Sequence, residues 1–474
     1  MHELIGLTAR DVVARLKSGA VSPLDCLAAL KTRVAEVNPA VNALVTLCFE
    51  RAEAQAKVLM AKPVEKRGLL AGLPIPIKDL TDVAGVCSTQ GSRIFANRIA
   101  ETSDILVNHL EGEGGLIFAM SNTPEFGAGA HTFNDVFGVT RNPWNMALSA
   151  AGSSGGAAAA LATGMAWLAH GSDMGGSLRN PASFCGVVGL RPSPGRVAAS
   201  VFSKIDGTLG LEGPMARNIG DLALMLDAMS GAEAGDPLSL PRELPSFQSA
   251  VAAPQKPRRV AVSRNLGITP VDPEVADMIM AAAARLAAEG VTVEEVHPEL
   301  GEAMHCFQTL RALGFATGMR NLLRDHRDLL KPEVIWNIEK GLVLTGDEIA
   351  IAEAERGALF RRMHEFLGTY DVLLCPATIV PPFPVEERYV KSCAGVEFET
   401  YVDWLLIVAV ATLCACPALS MPCGFSKSGL PVGLQVIAPN RQEAKLLSVA
   451  SWIENVLALG ALTPIDPRTP SVLN

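Results

Sequence analysis

The hydrophobic positions of the chain change their period along its length. In roughly the first 65 residues they recur at helical spacing, with Leu27, Leu30, Val34 and Val37 forming one apolar stripe. The local punctuation agrees. Thr8 with Asp11 reads as a variant capping box, and Ser22-Pro23 sets a capping hydroxyl before a proline at the first helical position. Short continuous apolar runs follow at residues 73–77 and 115–119, and these predict strands.

Further on the two periods alternate. Residues 259–263 predict a short strand. Asp272-Pro273 caps a helix that runs to about Glu289 and stops at Gly290, and residues 291–293 begin another strand. Strand-like runs return at 371–376 and 432–436. Alternating elements predict an α/β fold, layered around a central sheet. No internal repeat and no linker rich in Pro, Gly or charge divides the chain, so one domain over residues 1–474 is expected. The most apolar stretch, 405–416, ends at Pro417. It falls short of the ~20 residues a membrane helix needs, so it predicts a buried element.

Composition excludes several function classes. With 49% hydrophobic and 19% charged residues, the chain can bury enough surface to offset its ordering entropy, which excludes disorder as the dominant state. Lys and Arg number 40 against 49 Asp and Glu, a net charge of −9 with no basic run. That argues against gripping nucleic acid or an anionic membrane. The ten cysteines are scattered without a Cys-x-x-Cys and predict reduced, buried small hydrophobes. The start, Met1-His2-Glu3-Leu4-Ile5, lacks the basic-then-apolar pattern of a signal peptide, so a cytoplasmic location is expected.

Motif by motif, phosphate-loop, dinucleotide and His-Glu-x-x-His patterns are absent, and the eight histidines are dispersed. Neither a metal nor an organic cofactor is expected. Hydroxyl and amine chemistry remains. One Gly-flanked serine cluster is Gly152-Ser153-Ser154-Gly155-Gly156, ahead of an Ala-rich helical run. A second is Gly171-Ser172-Asp173-Met174-Gly175-Gly176-Ser177-Leu178-Arg179. Glycine admits close approach to the backbone, and successive N–H groups at such a turn can converge on an oxyanion. The first cluster also fits Gly-x-Ser-x-Gly centred on Ser154, which would need a downstream acid and a histidine such as His297, His305, His326 or His364. Finally, Lys78 closes an apolar run from Leu73 to Ile77. Burial there would favour a neutral amine, able to act as a base.

Together these three elements resemble the amidase signature family. Asn122-Thr123-Pro124-Glu125-Phe126, Thr140-Arg141-Asn142-Pro143-Trp144, Gly186-Val187-Val188-Gly189-Leu190-Arg191-Pro192 and Gly429-Leu430-Pro431-Val432-Gly433-Leu434-Gln435 look like further blocks of it. The resemblance implies an α/β/α sandwich with a mixed central sheet. N-terminal helices would occupy about 1–65, the signature core about 70–200, and variable pocket segments about 297–404. It implies a Ser-cisSer-Lys triad in which Ser177 forms the acyl-enzyme, Ser153 bridges on a cis peptide and Lys78 is the base. The N–H groups of Met174, Gly175, Gly176 and Ser177 would form the oxyanion hole, with Ser154, Asp173 and Arg179 in support. Ala151, Arg191-Pro192-Ser193 and Met174 depart mildly from the family pattern.

The implied activity is hydrolysis of a C–N bond in a small, largely apolar amide, anilide or carbamate, with ester cleavage open to the same chemistry. A glutaminase-type subunit of a tRNA-dependent amidotransferase is the alternative within the family. The Gly-x-Ser-x-Gly hydrolase using Ser154 is another, and a catalytically silent binding protein is a third, against which the intact Lys78, Ser153 and Ser177 argue. Phe126, Phe133, Trp336 and Tyr401 are the pocket candidates, from segments 126–137, 305–338 and 383–404. A homodimer is the assembly the resemblance suggests.

Overall fold

The structure, a computed structural model, describes residues 2–200 and 205–469. Its N-terminal helices follow from local chemistry. The helix Ala9–Ser18 begins at Thr8, whose hydroxyl accepts the Asp11 N–H. The helix Pro23–Val41 begins at a full capping box between Ser22 and Asp25, and it buries Leu27, Leu30, Val34 and Val37.

Behind these helices lies a three-stranded sheet of β1 (Leu44–Leu47), β2 (Pro74–Lys78) and β3 (Leu116–Ser121), in the order β1-β3-β2. β2 and β3 are parallel and buried at every position. A strand covered on both faces reads as a continuous apolar run, which is why these two were visible without alternation.

The main sheet has eight strands: β4 (Leu168–Asp173), β5 (Val188–Arg191), β6 (Leu211–Ala216), β7 (Arg259–Val262), β8 (Thr292–Glu295), β9 (Val372–Pro376), β10 (Ala418–Phe425) and β11 (Pro431–Ile437). Their order is β8-β7-β9-β11-β10-β5-β6-β4. β7 runs parallel to β8 and β9, and the other neighbouring pairs are antiparallel, so the sheet is mixed as expected. The strand-helix-strand unit is β7, the helix Pro273–Ala288 and β8. Its helix is capped by Asp272, which accepts the N–H groups of Glu274 and Val275.

Two features of this frame position the site. The apolar stretch after residue 405 forms the helix Leu406–Leu413, buried at every position, and among the described residues no helix is long and apolar enough to cross a membrane. The two sheets also meet at β2 and β4, where the N–H of Lys78 donates to His170 Nδ1 at 3.3 Å. This contact brings the last residue of β2 against the middle of β4.

Candidate active site

Lys78 is fully buried, and its Nζ stands 2.7 Å from Ser153 Oγ, 2.9 Å from Ser154 Oγ and 3.1 Å from Ser172 Oγ. Burial pushes its ammonium down to about 7, against the charges of Glu212 and Asp173, which pull it back up. Near neutral pH a large share of this amine is therefore unprotonated and offers a lone pair to a hydroxyl proton.

The two serine clusters are folded onto that amine by different devices. Gly152-Ser153 is a cis peptide bond, and Ser154 precedes the helix Gly155–Ala162, which is buried throughout. The glycines there answer to crowding. A Cβ on Gly156 would lie 2.3 Å from the Asn122 nitrogen and 2.5 Å from the Ala43 carbonyl oxygen. The second cluster leaves β4 at Asp173 and turns at Gly176, whose φ of +89° suits glycine and whose Cβ would come within 2.5 Å of Val408 Cγ2. The Ser154 N–H donates to the Ser177 carbonyl at 3.1 Å and locks the clusters together.

Asp173 and Arg179, both fully buried, hold this turn. Asp173 accepts from the N–H of Gly176 (2.9 Å), the N–H of Leu178 (3.1 Å), and Arg179 Nε (3.0 Å) and Nη2 (2.8 Å). Burial opposes its ionisation, but the Arg179 and Arg191 charges prevail and keep its carboxyl low, at about 2. Arg191 donates to the carbonyls of Asp173 and Leu209 and ties the end of β4 to its neighbour loop.

Ser153 and Ser177 both face one cavity of about 550 Å³. Of the sequence candidates, Lys78 and Ser153 are in direct contact, and Ser177 lines the same cavity as Ser153, while Lys78 lies behind Ser153 outside the cavity lining. The backbone N–H groups of Met174, Gly175 and Ser177 have no hydrogen-bond partner among the described residues. Gly176 corrects the expectation, because its N–H is engaged by Asp173 and does not point free into the turn. Ser154 lies outside the cavity wall, fully buried, and bonds with Lys78 and the Ser172 backbone. It has no histidine partner among the described residues, so the Ser154-centred triad is not assembled.

The pocket candidates divide. Phe126 lines the cavity. Phe133 does not. It lies under Lys331 Nζ (5.1 Å) and the Arg388 guanidinium (4.8 Å), beside His131. Tyr401 is buried, its hydroxyl accepting from Asn337, and Trp336 packs edge-on against it at 5.8 Å. The wall is also less apolar than expected. Leu310 and Phe315 stand beside Arg311, Arg356 and Glu212. Sequence reasoning missed His170, Ser172 and Glu212. Glu212 Oε2 accepts from His170 Nε2 at 2.6 Å, and Glu212 faces Ser172 across the β4–β6 ladder. No sequence signal could have paired them before the register was known. Among the described residues no three His, Cys, Asp or Glu side chains gather to hold a metal.

The same scaffold recurs in known proteins. The Amidase family model matches residues 25–447. An acylamidase of Rhodococcus erythropolis is 36% identical, with 97% of each chain covered. A glutamyl-tRNA(Gln) amidotransferase subunit of Koribacter versatilis is 32% identical over 88% of this chain and 92% of its own. The crystal structure of a bacterial aryl acylamidase of the amidase signature family superposes with a TM-score of 0.89 at 26% identity, covering 97% of this chain and 99% of its own.

Proposed function

The chain belongs to the Amidase family and is an amide hydrolase acting on non-peptide C–N bonds, and we propose that Ser177 is its nucleophile, Ser153 its proton bridge and Lys78 its base. The observation that carries these roles is the desolvated Lys78 amine, 2.7 Å from the hydroxyl of Ser153, which lines one cavity together with Ser177.

In the reaction so read, Ser177 Oγ attacks the amide carbonyl as its proton passes through Ser153 to the neutral Lys78 Nζ. The N–H groups of Met174, Gly175 and Ser177 receive the developing oxyanion. The C–N bond then breaks. Lys78 returns the proton through Ser153 to the departing amine, leaving an acyl ester on Ser177. Water, deprotonated by the same relay, attacks that ester and releases the carboxylic acid. Asp173 and Arg179 hold the turn.

For substrate we favour acylated amines, anilides among them. The acylamidase relative and the aryl acylamidase neighbour support that choice over glutamine. Carbamates and esters fit the same chemistry. We read the chain as one domain working in the cytoplasm, where its unpaired cysteines stay reduced, and as a homodimer. A fluorophosphonate probe followed by peptide mapping tests the roles. The adduct is expected on Ser177 and is lost in Lys78→Ala. An adduct on Ser154 with Ser177 free would overturn the assignment. Hydrolysis of a simple aryl amide by the purified chain alone, exceeding its glutaminase rate, separates the acylamidase from the amidotransferase reading.

A further inference from the structure

The helix Ala303–His326 crosses the catalytic turn, since a Cβ on Gly175 would meet Phe307 Cζ at 3.1 Å. One turn further, about 6 Å along the axis, stands Arg311, and a second turn on stands Phe315. Leu310, Arg311 and Phe315 all line the cavity that Ser177 faces.

Arg311 is unusual among the buried arginines. It is 5% exposed, yet no carboxylate among the described residues lies within ion-pair distance of it. Arg33, Arg179 and Arg196 are comparably buried, and each has a carboxylate at 2.7 or 2.8 Å. Arg217, as buried as Arg311, is spent on the Ile5 and Leu7 carbonyls and does not line the cavity. The Arg311 guanidinium is held by neutral groups. Nη1 donates to Asn337 Oδ1, and Cζ lies 4.5 Å from the Phe315 ring centroid and 5.4 Å from that of Tyr401. Asn337 is itself fixed, donating to the Glu333 carbonyl at 2.6 Å and to the Tyr401 hydroxyl. The side chain of Glu333, whose backbone carbonyl Asn337 holds, is bound bidentately by Arg388, at 2.8 and 2.7 Å.

A buried cation without a counter-ion is costly, and aromatic faces offset only part of that cost. A rigid, oriented guanidinium on the wall of a substrate cavity is the form in which proteins bind carboxylates. We propose that Arg311 is the recognition group for a carboxylate borne by the substrate, so that this enzyme prefers amides carrying an acid group a few bonds from the scissile carbonyl. The proposal rests on Ser177 being the nucleophile of this cavity.

The test uses two matched pairs of substrates. Glutaric acid mono-p-nitroanilide is compared with valeryl p-nitroanilide, and N-acetyl-4-aminobenzoate with acetanilide. The first pair places the carboxylate on the acyl side, the second on the amine side. In the wild-type enzyme the acid member of at least one pair is expected to be favoured by about tenfold or more in kcat/KM, chiefly through KM. Arg311→Gln should bring that ratio close to one, and Arg311→Lys, which keeps the cation, should retain part of it. Equal rates within both pairs in the wild type overturn the proposal without any variant. So does a preference that survives Arg311→Gln, which would place the contact elsewhere, for example at Arg356. If Arg311→Gln fails to fold, Arg311→Lys decides: loss of the planar fork must raise KM for the acid substrate more than for the neutral one. If no anilide of either pair is cleaved, the amide-hydrolase reading fails as well; cleavage without acid preference defeats this inference alone.

Discussion

His170 accepts the backbone N–H of Lys78 on Nδ1, so its other ring nitrogen carries the hydrogen that Glu212 receives. The proposed base is thereby tied through its own peptide bond to a carboxylate on the cavity wall. Burial lowers the Lys78 ammonium to about 7, and the Glu212 charge works in the opposite direction. Glu212→Gln removes that charge, so the Lys78 pKa should fall further. Activity requires the neutral amine, so the acidic limb of the kcat/KM profile, with its inflection near 7 in the wild type, should move to lower pH. A pH–rate profile on a neutral anilide measures it. A limb that stays in place or moves upward would contradict the proposed base.

The same burial couples Lys78 to stability. In the unfolded chain its ammonium titrates near 10.5, and in the folded protein near 7. Between these values the unfolded state binds the extra proton, so this group makes stability rise with pH, by up to about 1.4 kcal/mol per unit. Below pH 7 its full cost is present. Lys78→Met should therefore gain on the wild type most at or below neutral pH and lose that advantage as pH approaches 10. Activity should drop by about 10²–10⁴-fold. Chemical denaturation at pH 6.5 and 9 checks the first expectation, and anilide turnover the second.

Asp173→Asn removes the one carboxylate among the described residues that faces both Arg179 and Arg191. An uncompensated buried charge typically costs about 3–5 kcal/mol. The variant is expected to unfold at clearly lower urea concentration. What remains folded should be slow, because the turn carrying Ser177 has lost its anchor. Wild-type stability in this variant would show that the guanidinium groups find other partners.

Gly176→Ala probes the turn itself. The positive φ and the contact with Val408 leave no room for a methyl group, so the backbone must move at the turn proposed to receive the oxyanion. Losing one donor in such a hole costs about 10²–10³ in rate. The expected signature is a fall in kcat of that order with little change in KM, in a protein that still folds.

Sequence reasoning reached what local chemistry decides. Ser22-Pro23 and Asp272-Pro273 declared their helices because capping acts over three residues, and the apolar runs at β2 and β3 declared strands because both faces are covered. Lys78, Ser153 and Ser177 stood out as residues; the structure bonds Lys78 to Ser153 and sets Ser153 and Ser177 on one cavity. What depends on distant pairing stayed hidden. Glu212 meets His170 only because β6 lies antiparallel to β4. Phe133, Trp336 and Tyr401 were indistinguishable by type from Phe126, although only Phe126 faces the cavity. Residue type says that an aromatic side chain will be covered, and tertiary packing decides by what.

The helix Gly155–Ala162 has every side chain buried and a glycine pressed against the backbone just beyond β3. Mutational tolerance in this chain is therefore unevenly distributed. A directed-evolution library aimed at new amides would be wasted on residues 152–162, where nearly any larger side chain displaces the scaffold. The helix Ala303–His326 contributes Leu310, Arg311 and Phe315 to the cavity without carrying a reacting group. Substrate range can drift there while the bond-breaking apparatus stays as it is.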